Sequence, residues 1–312
     1  MKTNSNIKIA IAIPTYNREQ VLIDTINDVL KQNPPPDEIL VIDQTEKHIE
    51  IVEEKLNYWH NQGSIRYIKE FPPGLPKARN RAIKETLCDI IIFIDDDVIL
   101  TDKFVANHKI NYVNNSEVVA IAGRVEQRLG WPNIKRPQHW NRVLDYRFFK
   151  LDSKERVEGI ANFIGCNHSI KVDFIKKIGG YDEKYIGVAL REDTDLALRI
   201  YLSSGLIVFD PNCSLFHLAT PSGGCRKSNQ IDISATLSIL QFTKKFFSVF
   251  NSPQVLQEIW LALRLSLFSK KILQNPYLFT LVLIGITKKI KHILNIKTIN
   301  NFTSIKKYNK LN

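Results

Sequence analysis

"DIIIFIDDDVIL", residues 89–100, carries five apolar side chains into three consecutive aspartates, Asp95, Asp96 and Asp97, and then returns to apolar residues. An apolar run of that length bounded by charge has the pattern of a strand buried on both faces. Three adjacent carboxylates repel one another, and desolvating even one is costly unless a cation, a donor or a raised pKa compensates. The stretch therefore has two readings. It is an acidic strand-to-loop corner facing water, or it is the end of a buried strand where a ligand supplies the missing positive charge.

The surrounding pattern bears on the choice. Upstream, "KIAIAIP" (8–14) is strand-like, and "REQVLIDTINDVLKQ" (18–32) places Val21, Leu22, Ile26, Val29 and Leu30 on one helical face, with Asn17 and Gln20 as a capping pair. "PPPDEILVID" (34–43) then stops the helix and starts a second buried strand ending in Asp43, "SIRYIKE" (64–70) reads as a third, and "PKARNRAIKETL" (76–87) as another helix. Strands alternating with helices imply a mostly parallel sheet covered on both faces, with ligands at the carboxyl ends of the strands. Asp43 and Asp95 to Asp97 fall at such ends.

Downstream of "VVAIAGRVEQR" (118–128) the pattern loosens, and Trp131, Trp140, Tyr146, Phe148 and Phe149 read as a satellite core or an aromatic platform. Regularity returns in "GCNHSIKVDFIKKIGGYDEKY" (165–185), a strand, a helix and a Gly-Gly turn. "REDTDLALRIYLSSG" (191–205) is a helix with acidic residues at its start, and "LIVFDP" (206–211) and "CSLFHL" (213–218) read as two closing strands.

The chain has 312 residues and a net charge of +11, which is unevenly spread. Residues 1–225 hold 29 Lys and Arg against 30 Asp and Glu, whereas residues 226–312 hold 14 against 2. That basic tail interleaves Lys and Arg with Leu, Ile and Phe at helical spacing, so it reads as an amphipathic helical region. It lies on an anionic membrane surface or packs its apolar face on the core. Nucleic acid is a poor partner for it, because the basic residues alternate with aliphatics rather than with stacking aromatics. Its longest uncharged apolar piece is shorter than the ~20 residues needed to span a bilayer. Cys88, Cys166, Cys213 and Cys225 form no CxxC pair, and the first residues read as a strand rather than a signal peptide, so a cytoplasmic setting, peripheral to the membrane at most, is expected.

The three aspartates suit a hard divalent cation, Mg2+ or Mn2+, which takes a few carboxylate oxygens alongside waters and phosphate oxygens. In "REDTD", Glu192 and Asp193 stand at a helix start, where the backbone dipole favours negative charge. His217 ends an apolar strand as a metal ligand or as an ordinary half-buried histidine. No GxGxxG follows the first strand and no GxxxxGK[ST] occurs, which removes support for dinucleotide and P-loop chemistry.

Taken in order, "IPTYNR", "LVIDQT", "GLPKARNRA", "FIDDD", "GGYDEKY…REDTDLALR" and "LFHL…GG" resemble the family 2 glycosyltransferases over roughly residues 7–225. The resemblance implies the GT-A fold: a Rossmann-like, mixed and mostly parallel sheet flanked by helices, here with a C-terminal helical extension. It implies a catalytic domain over 1–225, with a nucleotide-sugar half at about 1–125 and an acceptor half at about 126–225, followed by the basic region 226–312. It assigns Pro14, Thr15, Tyr16, Arg18, Asp43, Gly74, Arg79, Asp95 and Asp96 to the nucleotide-sugar donor, and Asp97 and His217 to a Mg2+ or Mn2+ ion. Asp193 is the implied base, with Asp195 as the alternative, and Glu192 the implied contact to the acceptor. The implied reaction is a single inverting displacement, from a nucleoside-diphosphate sugar to a glycan or glycolipid acceptor in bacterial surface polysaccharide or glycolipid synthesis. Gln44, which follows Asp43, precedes Thr45 where many members place a small or amide residue before Ser.

Two readings from other classes stand beside it. "FIDDDV" also fits the nucleophile strand of a haloacid-dehalogenase-like phosphohydrolase with Asp95 as nucleophile, although that fold begins at this motif and leaves the preceding residues unexplained. A sugar-nucleotide-binding or membrane-associated protein without turnover would be marked by a missing metal or base residue, and both are present.

Overall fold

The computed structural model describes residues 7–128, 150–221, 223–224, 233–250 and 252–266. The aromatic segment with Trp131, Trp140, Tyr146, Phe148 and Phe149, the residue Cys225 and the basic tail beyond 266 lie outside them. The chain forms two compact units, Met1–Ser238 and Ile239–Asn312.

In the first unit the elements run β1 (Ile9–Thr15), α1 (Gln20–Leu30), β2 (Glu38–Asp43), α2 (Glu50–Asn61), β3 (Arg66–Lys69), α3 (Leu75–Glu85), β4 (Ile90–Ile94), β5 (Val98–Leu100), α4 (Phe104–Asn114), β6 (Val118–Gln127), β7 (Val157–Glu158), β8 (Asn167–Lys171), α5 (Val172–Lys177), α6 (Glu192–Leu202) and β9 (Leu206–His217). The sheet order is β3-β2-β1-β4-β8-β6-β9-β5, with β7 also paired to β9. The β1–β2, β2–β3, β1–β4 and β6–β9 pairs are parallel. β8 runs antiparallel between β4 and β6, and β5 and β7 run antiparallel to β9. The sheet is thus mixed, mostly parallel and flanked by helices.

Period-two alternation makes β1 a divider between two cores. Ile9, Ile11 and Ile13 pack with Leu22, Ile26 and Val29 of α1 and Val52 and Leu56 of α2. Ala10 and Ala12 face the opposite way, among Ala78 and Ala82 of α3, Ile175 of α5 and Leu196 of α6. Both faces of the strand are covered, which is why the run reads as continuously apolar.

Two local expectations are corrected. Helix α1 has Glu19 at its N-cap with no side-chain cap, and the Gln20 side chain donates to Asp24 instead. Asn17 sits in the left-handed region at φ 53, a conformation its short polar side chain tolerates, and its N–H donates to Thr45 Oγ1. The two closing strands are halves of one, β9. Its pairing with β6 shifts register between Gly123/Asp210 and Arg124/Ser214, so residues 211–213 bulge out. A Cβ on Gly123 would lie 2.4 Å from the Cys213 carbonyl oxygen, so only glycine admits that close approach. Beyond the bulge, β9 pairs with β5 and sets His217 opposite Val98, one residue from Asp97.

The boundary between the units falls inside α7 (Ile233–Lys245), which precedes α8 (Ser252–Ser266). Within the second unit, Phe242 packs on Phe246 and Phe250 with ring centroids 5.1 and 5.5 Å apart. Among the described residues no helix is long and apolar enough to cross a membrane.

Candidate active site

The carboxyl ends of β1, β4 and the β9 extension open onto a cleft of about 360 Å³. Pro14, Thr15, Tyr16, Arg18, Asp95, Asp96, Asp97 and His217 line it, together with Gln44, Leu75, Val188 and Gly224.

The repulsion among the three aspartates is offset within the protein. Arg18, curled back by the turn at Asn17, places Nε 3.0 Å from Asp96 Oδ1 and Nη2 3.1 Å from Asp97 Oδ2, with both pairs buried. The Thr15 hydroxyl donates to the other Asp96 oxygen at 2.7 Å. Burial pushes the Asp96 carboxyl up to about 7, against the pull of Arg18 and Thr15. Asp97 goes the other way. Burial alone would raise it, but His217, Thr220 and Arg18 hold it down at about 2. Thr220 donates both its N–H (2.9 Å) and its hydroxyl (2.7 Å) to Asp97 Oδ2, and it also accepts from Arg18.

Those bonds occupy Asp97 Oδ2 and leave Oδ1 beside His217 Nε2 at 3.1 Å, with Asp95 Oδ2 3.7 Å from the same nitrogen. One ligand atom each from Asp95, Asp97 and His217 lies within 4.8 Å of the others. Two carboxylate oxygens and an imidazole nitrogen converging at a cleft wall form a donor set that fits a divalent cation such as Mg2+ or Mn2+.

A second acidic group stands at the start of α6. The helix has Arg191 at its N-cap, in the left-handed region at φ 79, and carries Glu192, Asp193 and Asp195 in its first turn. The three differ in their surroundings. Asp195 is fully buried, accepting from Tyr185 (3.0 Å) and from Arg199 Nε (2.6 Å). Glu192 is buried in an ion pair with Arg79; burial pushes its carboxyl up, while the Arg79 guanidinium pulls against that shift. Asp193 is half-buried, with Oδ2 accepting the Gly165 N–H at 3.0 Å and Oδ1 the Thr194 N–H at 2.7 Å.

Glu192 and Asp193 do not line the cleft, and neither do three residues expected at the donor. Arg79 is 1% exposed and reaches Glu192 and, at 3.8 Å, Asp95. Gly74 is clamped through its backbone by Gln44, whose amide nitrogen donates to Gly74 O (3.2 Å) while its oxygen accepts the Gly74 N–H (3.1 Å). Asp43 is fully buried, its Oδ2 accepting from His48 (2.9 Å), Tyr67 (2.7 Å) and Lys69 (2.7 Å) and its Oδ1 from the Thr45 N–H (2.8 Å).

Burial opposes the charge on Asp43, but those four donors hold its carboxyl well below the usual range. Burial also opposes charge on His48, yet its ring nitrogens face Asp43 and Glu19, so its pKa is raised. A depressed carboxylate stabilises the fold above its ordinary pKa and loses that contribution as pH falls; a raised histidine does so below its ordinary pKa and loses it as pH rises through the folded value. The pair is therefore worth most between pH 3.8 and 6.5, the ordinary values of the two groups. His48→Gln should lower stability by about 1–3 kcal/mol in that window. The deficit should shrink by pH 9, and equal deficits in urea midpoints at pH 5.5 and 9 would contradict the assignment.

The partners His48, Tyr67 and Lys69 of Asp43, and Thr220 beside Asp97, lie outside the sequence motifs. Thr220, three residues after His217, is legible as a hydroxyl near a metal-ligand candidate; Tyr67 and Lys69 reach Asp43 from the neighbouring strand β3, a pairing that carries no local signal.

The sequence matches the family model described as "Glycosyl transferase family 2" over residues 10–179. The probable glycosyltransferase YdaM of Bacillus subtilis is 24% identical over 205 residues, covering 62% of this chain and 46% of that protein. O-antigen chain rhamnosyltransferase RfbN of Salmonella typhimurium is 31% identical over 123 residues, 38% of this chain and 37% of that protein. The chain thus spans less than half the length of these curated relatives. Among solved structures, mannosyltransferase PcManGT from Pyrobaculum calidifontis, in complex with GDP-Man and Mn2+, superimposes with a TM-score of 0.56 at 17% identity, over 93% of this chain and 76% of that one. This likeness establishes a shared GT-A fold, as the resemblance implied. Since the family match takes in more than half of its residues, the chain belongs to glycosyltransferase family 2.

Proposed function

We propose that the protein is a metal-dependent, inverting glycosyltransferase that moves a sugar from a nucleoside-diphosphate sugar to an acceptor hydroxyl. The observation that carries this is the convergence of Asp95, Asp97 and His217 ligand atoms within 4.8 Å on a cleft at the carboxyl ends of the strands. The likeness to the mannosyltransferase solved with GDP-Man and Mn2+ supports the same kind of donor and a divalent cation here.

In this reading Asp95, Asp97 and His217 hold the ion, Mn2+ or Mg2+, which when bound neutralises charge on the departing diphosphate. Pro14, Thr15, Tyr16 and the Gln44–Gly74 clamp shape the cleft for the nucleoside. Asp193 takes the acceptor hydroxyl's proton as the oxygen attacks the anomeric carbon. A carboxylate is a weak base, so it acts through position and through transfer concerted with attack. The Gly165 N–H fixes one of its oxygens, and Asp195 is already committed to Tyr185 and Arg199. Glu192, the expected acceptor contact, is buried against Arg79 and does not line the cleft. The phosphohydrolase alternative loses its basis, because β1, β2 and β3, all preceding Asp95, form one sheet with β4.

The test is calorimetric titration of UDP, GDP and dTDP with and without Mn2+. Binding of one of them that requires Mn2+ is expected, and binding of none would overturn the reading. The setting we propose is surface polysaccharide or glycolipid assembly, with the basic region 226–312 held at an anionic membrane face. The full chain should sediment with phosphatidylglycerol vesicles in low salt and release in high salt; absence of binding in low salt would reject that placement.

A further inference from the structure

We propose that Arg79 is a positioning residue that locks the metal-side carboxylate Asp95 and the base-bearing start of α6 at a fixed spacing, rather than a ligand of the donor. The inference rests on the reading of Asp193 as the base.

Arg79 lies on the buried face of α3, 1% exposed, between the two acidic groups. Its Nη1 pairs with Glu192 and its Nη2 stands 3.8 Å from Asp95 Oδ1. The Tyr181 ring centroid is 5.3 Å from the guanidinium carbon. Gly165 presses against the same group, so closely that a Cβ there would come within 2.4 Å of Nη2. The residue that backs Arg79 also donates its N–H to Asp193 Oδ2 at 3.0 Å. One buried cation therefore touches the end of β4, the first residue of α6 and the loop that holds the base.

A guanidinium suits this junction because its planar fork serves two carboxylates in different directions, where an ammonium is a single point charge. A buried cation is retained only if paired, so loss of either partner leaves the other charge uncompensated. Arg79 also does not line the cleft in which a nucleotide would sit. The consequence is that Glu192 and Arg79 act as one unit on the chemical step.

The test is a double-mutant cycle with Arg79→Met, Glu192→Gln and the pair, reading kcat and donor KM for transfer together with Mn2+-supported nucleoside diphosphate binding. Each single variant should lower kcat by about 10–100-fold, the range for outer-shell partners, with donor KM and nucleotide binding within about threefold of wild type. The double variant should be no worse than the poorer single, because the two act through one contact, and Arg79→Lys should recover part of the loss. Losses that multiply in the double variant, or a donor KM raised tenfold with kcat kept, would overturn the proposal, the latter making Arg79 a donor ligand. A crystal structure of Glu192→Gln reads the geometry without activity and stands in if Arg79→Met does not fold. Asp193 should have left the Gly165 N–H, and an unchanged bond contradicts positioning. Wild-type protein that binds no nucleotide with Mn2+ fails the functional reading instead, and is recognised before any variant is measured.

Discussion

Asp97→Asn is expected to lower Mn2+-supported nucleoside diphosphate binding by more than about 100-fold, beyond the range seen when outer-shell partners of a metal are lost. The two oxygens of Asp97 have different duties. Oδ2 accepts from Arg18 Nη2, the Thr220 N–H and the Thr220 hydroxyl, at 3.1, 2.9 and 2.7 Å. Oδ1 faces His217 and the cluster that would hold the ion. Asparagine supplies one oxygen and one NH2, so either orientation fails. With its oxygen on Arg18 and Thr220 it turns a donor toward the cation, and reversed it sets its NH2 against three donors. Asp96→Asn should lose far less metal affinity, because both Asp96 oxygens are taken by Arg18 and Thr15. Unchanged titration heats in Asp97→Asn would remove this residue from the metal site.

Asp193→Asn should keep nucleotide binding and lose transfer by at least about 100-fold, the usual scale for removing a general base. The substitution preserves an oxygen for the Thr194 N–H at 2.7 Å or for the Gly165 N–H at 3.0 Å, so the helix start should persist while proton acceptance is lost. Asp195→Asn is the control. Its carboxylate is buried against Tyr185 and Arg199, so the damage should appear as lowered stability, measurable in thermal melts, rather than as a selective loss of turnover. Turnover that survives in Asp193→Asn and disappears in a folded Asp195→Asn would move the base two residues along the helix.

How much of this was legible in the sequence depends on whether the controlling contacts are local. β1, β2 and β4 announced themselves because both of their faces are buried, which leaves uninterrupted Ile, Val and Ala runs. The mixed sheet flanked by helices followed from their alternation with helical patterns. Helices α2 and α4 carry no such signal. α2 buries only Val52, Leu56 and Trp59 among charged neighbours, and α4 buries the polar residues His108 and Asn111 alongside its apolar ones, so neither shows a clean stripe. The single strand β9 reads as two in the sequence because the bulge at 211–213 is formed by pairing near Gly123, which is distant in the chain.

At the site, motif order brought Thr15, Arg18, Asp95, Asp96, Asp97 and His217 to one cleft. Motif order is silent about solvent access, however. Asp43 and Arg79 stand at the expected strand end and helix, yet each is buried among partners drawn from other elements: His48, Tyr67 and Lys69 for the first, Glu192 and Tyr181 for the second. A sequence states which charges are present; only the packed chain states which of them are already neutralised.

The most direct test of the central claim is anomalous diffraction at the manganese edge from crystals soaked with MnCl2 and the nucleoside diphosphate that binds best. The account predicts one strong peak bounded by Asp95, Asp97 and His217, with the diphosphate beside it in the cleft lined by Thr15 and Tyr16. A well-occupied nucleotide with no manganese peak at those three residues would contradict it.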